Sequence, residues 1–120
     1  MDSYKTFGEF IAKKRFDRAI TVRGIAETIG VSPGYYNDIE KSRRNPPDRD
    51  VLDKLIEAFR LSDEDRIIFF DLAGKARSEV SPDLPDYIME NDFVRVALRM
   101  AKEKASEDDW QRFINDLEKK

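Results

Sequence analysis

The sequence predicts an all-α protein, with five short helices in one domain and two further helices beyond a proline-containing linker. Three observations predict it. Apolar residues recur at three- and four-residue spacing along the chain, with no strand-like alternation. A Ser, Thr or Asp stands just before most of these stripes, where its side chain can cap a helix. The chain of 120 residues, 40% of them apolar, suffices for one modest core.

Thr6 followed by Glu9 has the spacing of a capping box, and Phe7, Phe10 and Ile11 fall at i, i+3 and i+4, so the first helix should run from about Phe7 to Arg18. Thr21 can cap the second helix, where Ile25, Ala26 and Ile29 make an apolar stripe that Gly30 ends. Gly24 within it weakens that helix by roughly 1 kcal/mol relative to alanine. Ser32 caps the third helix with Pro33 at its first position, and Tyr36 and Ile39 lie three apart on its inner side. Lys41 to Pro47 must be a loop, because two prolines remove donors and restrict the residues before them.

The fourth helix follows from Asp48, with Leu52, Leu55, Ile56 and Phe59 on one face. Ser62 and Asp65 open the fifth, whose run Ile67, Ile68, Phe69, Phe70, Leu72 and Ala73 covers more than one face. Such breadth suggests contact with another subunit, for which Phe69 and Phe70 are the candidates. Residues 78–86, with Pro82 and Pro85 among small and acidic residues, read as a linker. Beyond it come a stripe of Phe93, Val96, Ala97 and Met100 and, after a Ser106/Asp109 box, one of Trp110, Phe113, Ile114 and Leu117. Helices this short must pack on each other, on the first five helices or on a partner, and Phe93, Met100, Trp110, Phe113 and Leu117 are the residues expected in a dimer or protein interface. The expected organisation is a domain at 1–77, a linker at 78–86 and a helical extension at 87–120.

Charge narrows the function classes. There are 22 Lys and Arg against 25 Asp and Glu, for a net charge of −3. Residues 1–60 carry 12 basic against 10 acidic residues, a net +2, whereas residues 61–120 carry 10 against 15, a net −5. The bases cluster at Lys13, Lys14, Arg15 and Arg18 and again at Lys41, Arg43 and Arg44, giving an acidic protein a local basic edge that can meet phosphate. The absence of cysteine and histidine excludes thiol chemistry, disulfides, imidazole metal sites and histidine-based triads. The acidic runs 63–65 and 107–109 sit in first helical turns, where they favour the helix dipole, so neither a metal nor a cofactor nor an enzyme is expected. With no signal-peptide order at the N-terminus and no long apolar span, the expected location is the cytoplasm and not a membrane.

The stretch AITVRGIAETIGVSPGYYNDIEKSRRNPP resembles the Cro/repressor-type helix-turn-helix family, also called the xenobiotic-response-element family. Ile20, Thr21, Ile25, Ala26, Gly30, Val31, Ser32, Tyr35, Ile39, Glu40 and Pro46 match its pattern in register, and with the first and fourth helices the resemblance covers about residues 6–73. It implies a five-helix repressor-like domain whose third helix enters the major groove of double-stranded DNA. It also implies an ion pair between Arg15 and Glu40 that fixes the reading helix. The DNA-facing positions it implies are Thr21, Arg23, Ser32, Pro33, Gly34, Tyr35, Asn37, Asp38, Lys41, Arg43, Arg44 and Asn45.

The chain departs from the family pattern at some of these places. Pro33 and Gly34 offer no side-chain donor early in the reading helix, so base contacts would fall to Asn37, Asp38 and the loop cations, and Tyr35 would meet a thymine methyl or a phosphate. Val22 stands where many members have a phosphate-binding glutamine, leaving that contact to Arg23. Asp38 would repel phosphate unless it pairs, for example with Lys41 one turn on.

The expected function is therefore a sequence-specific transcriptional repressor acting as a homodimer on a palindromic operator. One module meets too few base pairs to specify a genomic site alone. The alternative is an antitoxin-like protein whose C-terminal helices bind a second protein, with DNA binding as autoregulation.

Overall fold

The computed structural model describes residues 4–120. Among them are eight helices and no strand: α1 (Phe7–Asp17), α2 (Val22–Ile29), α3 (Pro33–Glu40), α4 (Arg49–Phe59), α5 (Asp63–Arg77), α6 (Pro85–Glu90), α7 (Asp92–Lys104) and α8 (Glu107–Glu118). The chain forms two compact units, Met1–Asp83 and Leu84–Lys120.

Local side-chain chemistry sets the helix starts of the first unit. Thr6, Thr21, Ser32 and Ser62 each accept the backbone N–H three residues on, at 3.0, 2.9, 3.1 and 3.1 Å. These bonds satisfy donors that a helix start otherwise leaves open. The capping box expected at α1 is only half formed, because the Glu9 carboxylate accepts from the backbone N–H of Lys5 at 2.9 Å. Asp48 precedes α4 with extended backbone but makes no side-chain cap.

The core of this unit is one cluster drawn from all five helices. Phe7, Phe10 and Ile11 of α1 meet Ile25, Ala26 and Ile29 of α2, Tyr36 and Ile39 of α3, the Leu52, Leu55, Ile56 and Phe59 stripe of α4, and Phe69, Phe70, Leu72 and Ala73 of α5. Phe69 lies 5.1 Å from Phe7 and 6.0 Å from Phe10, ring centre to ring centre, which ties α5 to α1. Phe69 and Phe70 are thus buried and unavailable to a partner, contrary to the expectation from sequence. The broad apolar run of α5 turns these two rings inward, and the side chains it leaves exposed are Ile67 and Ile68.

Gly8 permits the close approach of α1 to the end of α3. A Cβ there would stand 2.3 Å from the Glu40 carbonyl oxygen and 2.8 Å from that of Ile39.

The segment expected to be a linker is more structured than its prolines suggest. Arg49 Nη1 donates to the Pro82 carbonyl at 2.9 Å, and the Ser81 hydroxyl donates to Asp71. Residues 79–81 also pass so close to Gly74 that a Cβ there would meet Glu79 and Ser81 backbone at 2.9 Å. Pro85 opens α6, since proline is well suited to a first helical position even though it breaks helix interiors.

In the second unit α6 packs against α7, and α8 opens with a complete Ser106–Asp109 capping box. The Ser106 backbone and side-chain donors hold the Asp109 carboxyl below its usual range, helped by Arg112. No residue of α6, α7 or α8 is buried. Ala97, Ala101 and Ala105 face Trp110 and Phe113 across an apolar groove of about 250 Å³, while Phe93 is 91% exposed.

Candidate nucleic-acid interface

Helices α2 and α3 are joined by a turn whose every bond follows from the residues present. Gly30 adopts a left-handed conformation, φ +78°, which lets Val31 N–H return to the Ala26 carbonyl at 2.9 Å and Gly30 N–H to that of Glu27 at 3.2 Å. Ser32 then caps α3, and Pro33 takes the first helical position at no cost in hydrogen bonds.

The inner side of α3 is fixed and its outer side is free. Tyr36 and Ile39 are buried in the core. At the C-terminal end, Arg15 grips Glu40 with two bonds, Nε to Oε2 at 2.7 Å and Nη2 to Oε1 at 3.1 Å, while Nη1 donates to the Ile20 carbonyl at 3.0 Å. One guanidinium thereby joins α1, the start of α2 and the end of α3. The Glu40 side chain is only 5% exposed, and its bonds push the Arg15 pKa further up against the opposing effect of burial. The buried Tyr36 hydroxyl lies beside this pair with no hydrogen-bond partner of good geometry, and burial drives its pKa well above the usual phenol value.

Most of the predicted residues stand at the surface of the unit. Ser32, Pro33 and Gly34 are exposed, and Tyr35, Asn37 and Asp38 are half-buried. Lys41, Arg43, Arg44 and Asn45 follow as an exposed loop, and Thr21 and Arg23 are exposed at the start of α2. Thr21 and Ser32 use an oxygen lone pair for capping, so each keeps its hydroxyl proton available to donate.

Asp38 does not pair with Lys41. The chain reverses at Ser42, φ +61°, bringing the Arg43 and Arg44 backbone N–H groups onto the Asp38 carbonyl at 2.8 and 3.3 Å. Their guanidinium groups reach the Asp38 carboxylate at 3.5 and 4.0 Å, and Arg44 stands 5.3 Å from the Tyr35 ring centre. These are long, exposed contacts of the kind that phosphate can readily replace.

Arg77 was not legible as part of this surface. From the end of α5 its Nε and Nη2 both donate to the Pro46 carbonyl, at 3.1 and 2.6 Å, which anchors the far end of the basic loop.

A family model described as a helix-turn-helix domain matches residues 6–66, spanning α1 to the first turn of α5. The chain belongs to the helix-turn-helix domain family. This is a family of DNA-binding transcription regulators and not of enzymes. Among solved structures, the helix-turn-helix chain is similar to the clp gene regulator ClgR from Corynebacterium glutamicum, at 23% identity and TM-score 0.48 over 83% of this chain and 92% of that one. It is also similar to a chain of a SinR protein/SinI protein complex, at 16% identity and TM-score 0.45 over 94% and 95%. No curated protein matches it.

Proposed function

We propose that this protein is a cytoplasmic repressor that binds a palindromic operator as a homodimer, with residues 1–77 reading DNA and residues 87–120 holding the copies together. The observation that supports it best is the two-sidedness of α3. Its inner face is held by the core and Arg15, while Asn37 and the flanking basic loop stand at the surface. In this reading Asn37 and Asp38 meet base edges, whereas Arg23, Arg43, Arg44, Lys41 and the Thr21 and Ser32 hydroxyls meet phosphates.

Dimerisation is supported by the second unit. Tyr87, Phe93, Trp110 and Phe113 are each 40% exposed or more, and at 150–250 Å² per aromatic side chain they alone leave about 500 Å² open. With Met89, Val96, Met100, Ile114 and Leu117, also about half exposed or more, the apolar surface approaches the ~800 Å² per partner of a stable interface.

Selection of bound sequences from a random DNA pool by the full chain tests the reading. A two-fold symmetric consensus with half-sites about one helical turn apart is expected. No enrichment refutes sequence reading. A single asymmetric half-site, with a monomer in sedimentation, refutes the dimer and favours the second reading, in which the exposed α7 and α8 face binds a different protein as in an antitoxin.

A further inference from the structure

A pocket of about 300 Å³ opens where the start of α1, the loop after α3 and the end of α5 converge. Its lining is mostly apolar, with Pro46 and Ala76 and the edges of the buried Phe7, Ile39 and Leu72. Its cations are Lys5, Arg44 and Lys75, and among the described residues no acidic side chain lines it. Among the described residues neither Lys5 nor Lys75 has a side-chain ion pair, and Arg44 reaches Asp38 only at 4.0 Å. Thr6, Ser42 and Asn45 add polar side chains to the walls.

An apolar lining with cations suits a ligand with both characters. An apolar molecule would leave the positive charges without a counter-charge, and inorganic phosphate would leave the apolar lining unused. We infer that this pocket binds a small organic anion, a carboxylate carried on a compact apolar body. Its volume is at the lower end of small-molecule sites, which sets the size of the ligand. Ser42, Arg44 and Asn45 wall the pocket and also belong to the loop beside α3, so an occupant would act on the proposed DNA-facing loop. That consequence rests on the proposed function; the binding itself does not.

Titration of the full chain, without DNA, by calorimetry and amide NMR separates the possibilities. The probes are benzoate, acetate and inorganic phosphate. Benzoate should bind saturably in the millimolar range or below and shift amides of Lys5, Ser42, Asn45 and Lys75, with acetate and phosphate at least tenfold weaker. Lys75→Glu should weaken benzoate tenfold or more by reversing one charge. Ala76→Trp should abolish binding by filling the pocket while leaving its cations in place. Ala76 and Lys75 are both exposed, so folding should persist in each variant, checked by circular dichroism. Equal binding of phosphate, shifts located elsewhere, or no saturation by benzoate would overturn the inference. Since no DNA is present, these outcomes leave the DNA-binding reading untouched.

Discussion

One methyl group added at Gly8 tests the close approach of α1 to the end of α3. The new Cβ would lie 2.3 Å from the Glu40 carbonyl oxygen, where carbon and carbonyl oxygen ordinarily keep about 3.3–3.6 Å apart. The opposing atoms are backbone and cannot rotate away, so α1 and the end of α3 must part by about 1 Å. Overpacking of this kind costs about 1–3 kcal/mol, against at most ~1 kcal/mol regained because alanine favours helix over glycine. Gly8→Ala should therefore destabilise by about 1–2 kcal/mol, a fall in Tm of roughly 4–16 °C for a domain of this size. Gly34→Ala is the matched control, since a Cβ there meets nothing within 4 Å, and it should leave Tm unchanged or raise it. Thermal unfolding followed by far-ultraviolet circular dichroism compares the two. An unchanged or higher Tm for Gly8→Ala would refute the close packing of α1 on α3.

Arg43→Ala and Arg44→Ala should each weaken specific and random DNA alike and reduce the salt slope by about 0.9 per lost phosphate contact; an unaltered slope in both would remove them from the DNA surface. Asn37→Ala should cost about 1–3 kcal/mol on the selected site and little on random DNA, measured by fluorescence anisotropy. Arg15→Ala leaves the enclosed Glu40 carboxylate unpaired and should cost about 3 kcal/mol in urea unfolding, whereas Tyr36→Phe removes a hydroxyl that makes no well-formed hydrogen bond and should change stability by less than about 1 kcal/mol. Truncation after Asp83 should leave a folded, monomeric first unit in sedimentation; a dimer of the same strength as the full chain would move the interface to the first unit.

What was legible in the sequence was local. Each serine or threonine cap works across three residues, so Thr6, Thr21, Ser32, Ser62 and Ser106 could be placed without knowing the fold. The Arg15–Glu40 pair, 25 residues apart, came only through the family resemblance. Contacts lacking either aid were missed. Arg77 on Pro46, Arg49 on Pro82 and Lys14 on Asp65 at 2.8 Å depend on how distant helices meet, for which spacing carries no signal. The burial of Phe69 and Phe70 was obscured because their helix is apolar on more than one side, and periodicity then cannot say which side is inward. Asp38 was offered Lys41 by helical spacing, but the positive φ at Ser42 redirects the chain and brings Arg43 and Arg44 to it instead.

The chain's single tryptophan, Trp110, lies in α8, 40% exposed as a residue and with its ring 6.3 Å from that of Phe113, centre to centre. Its emission is therefore an intrinsic optical reporter on the second unit, to which the first contributes no indole. Solvent quenchers should reach this ring in an isolated chain and lose access wherever another protein surface covers the apolar face. A change in indole emission when DNA is added would then show that DNA binding is felt in the second unit, without a dye or an engineered label.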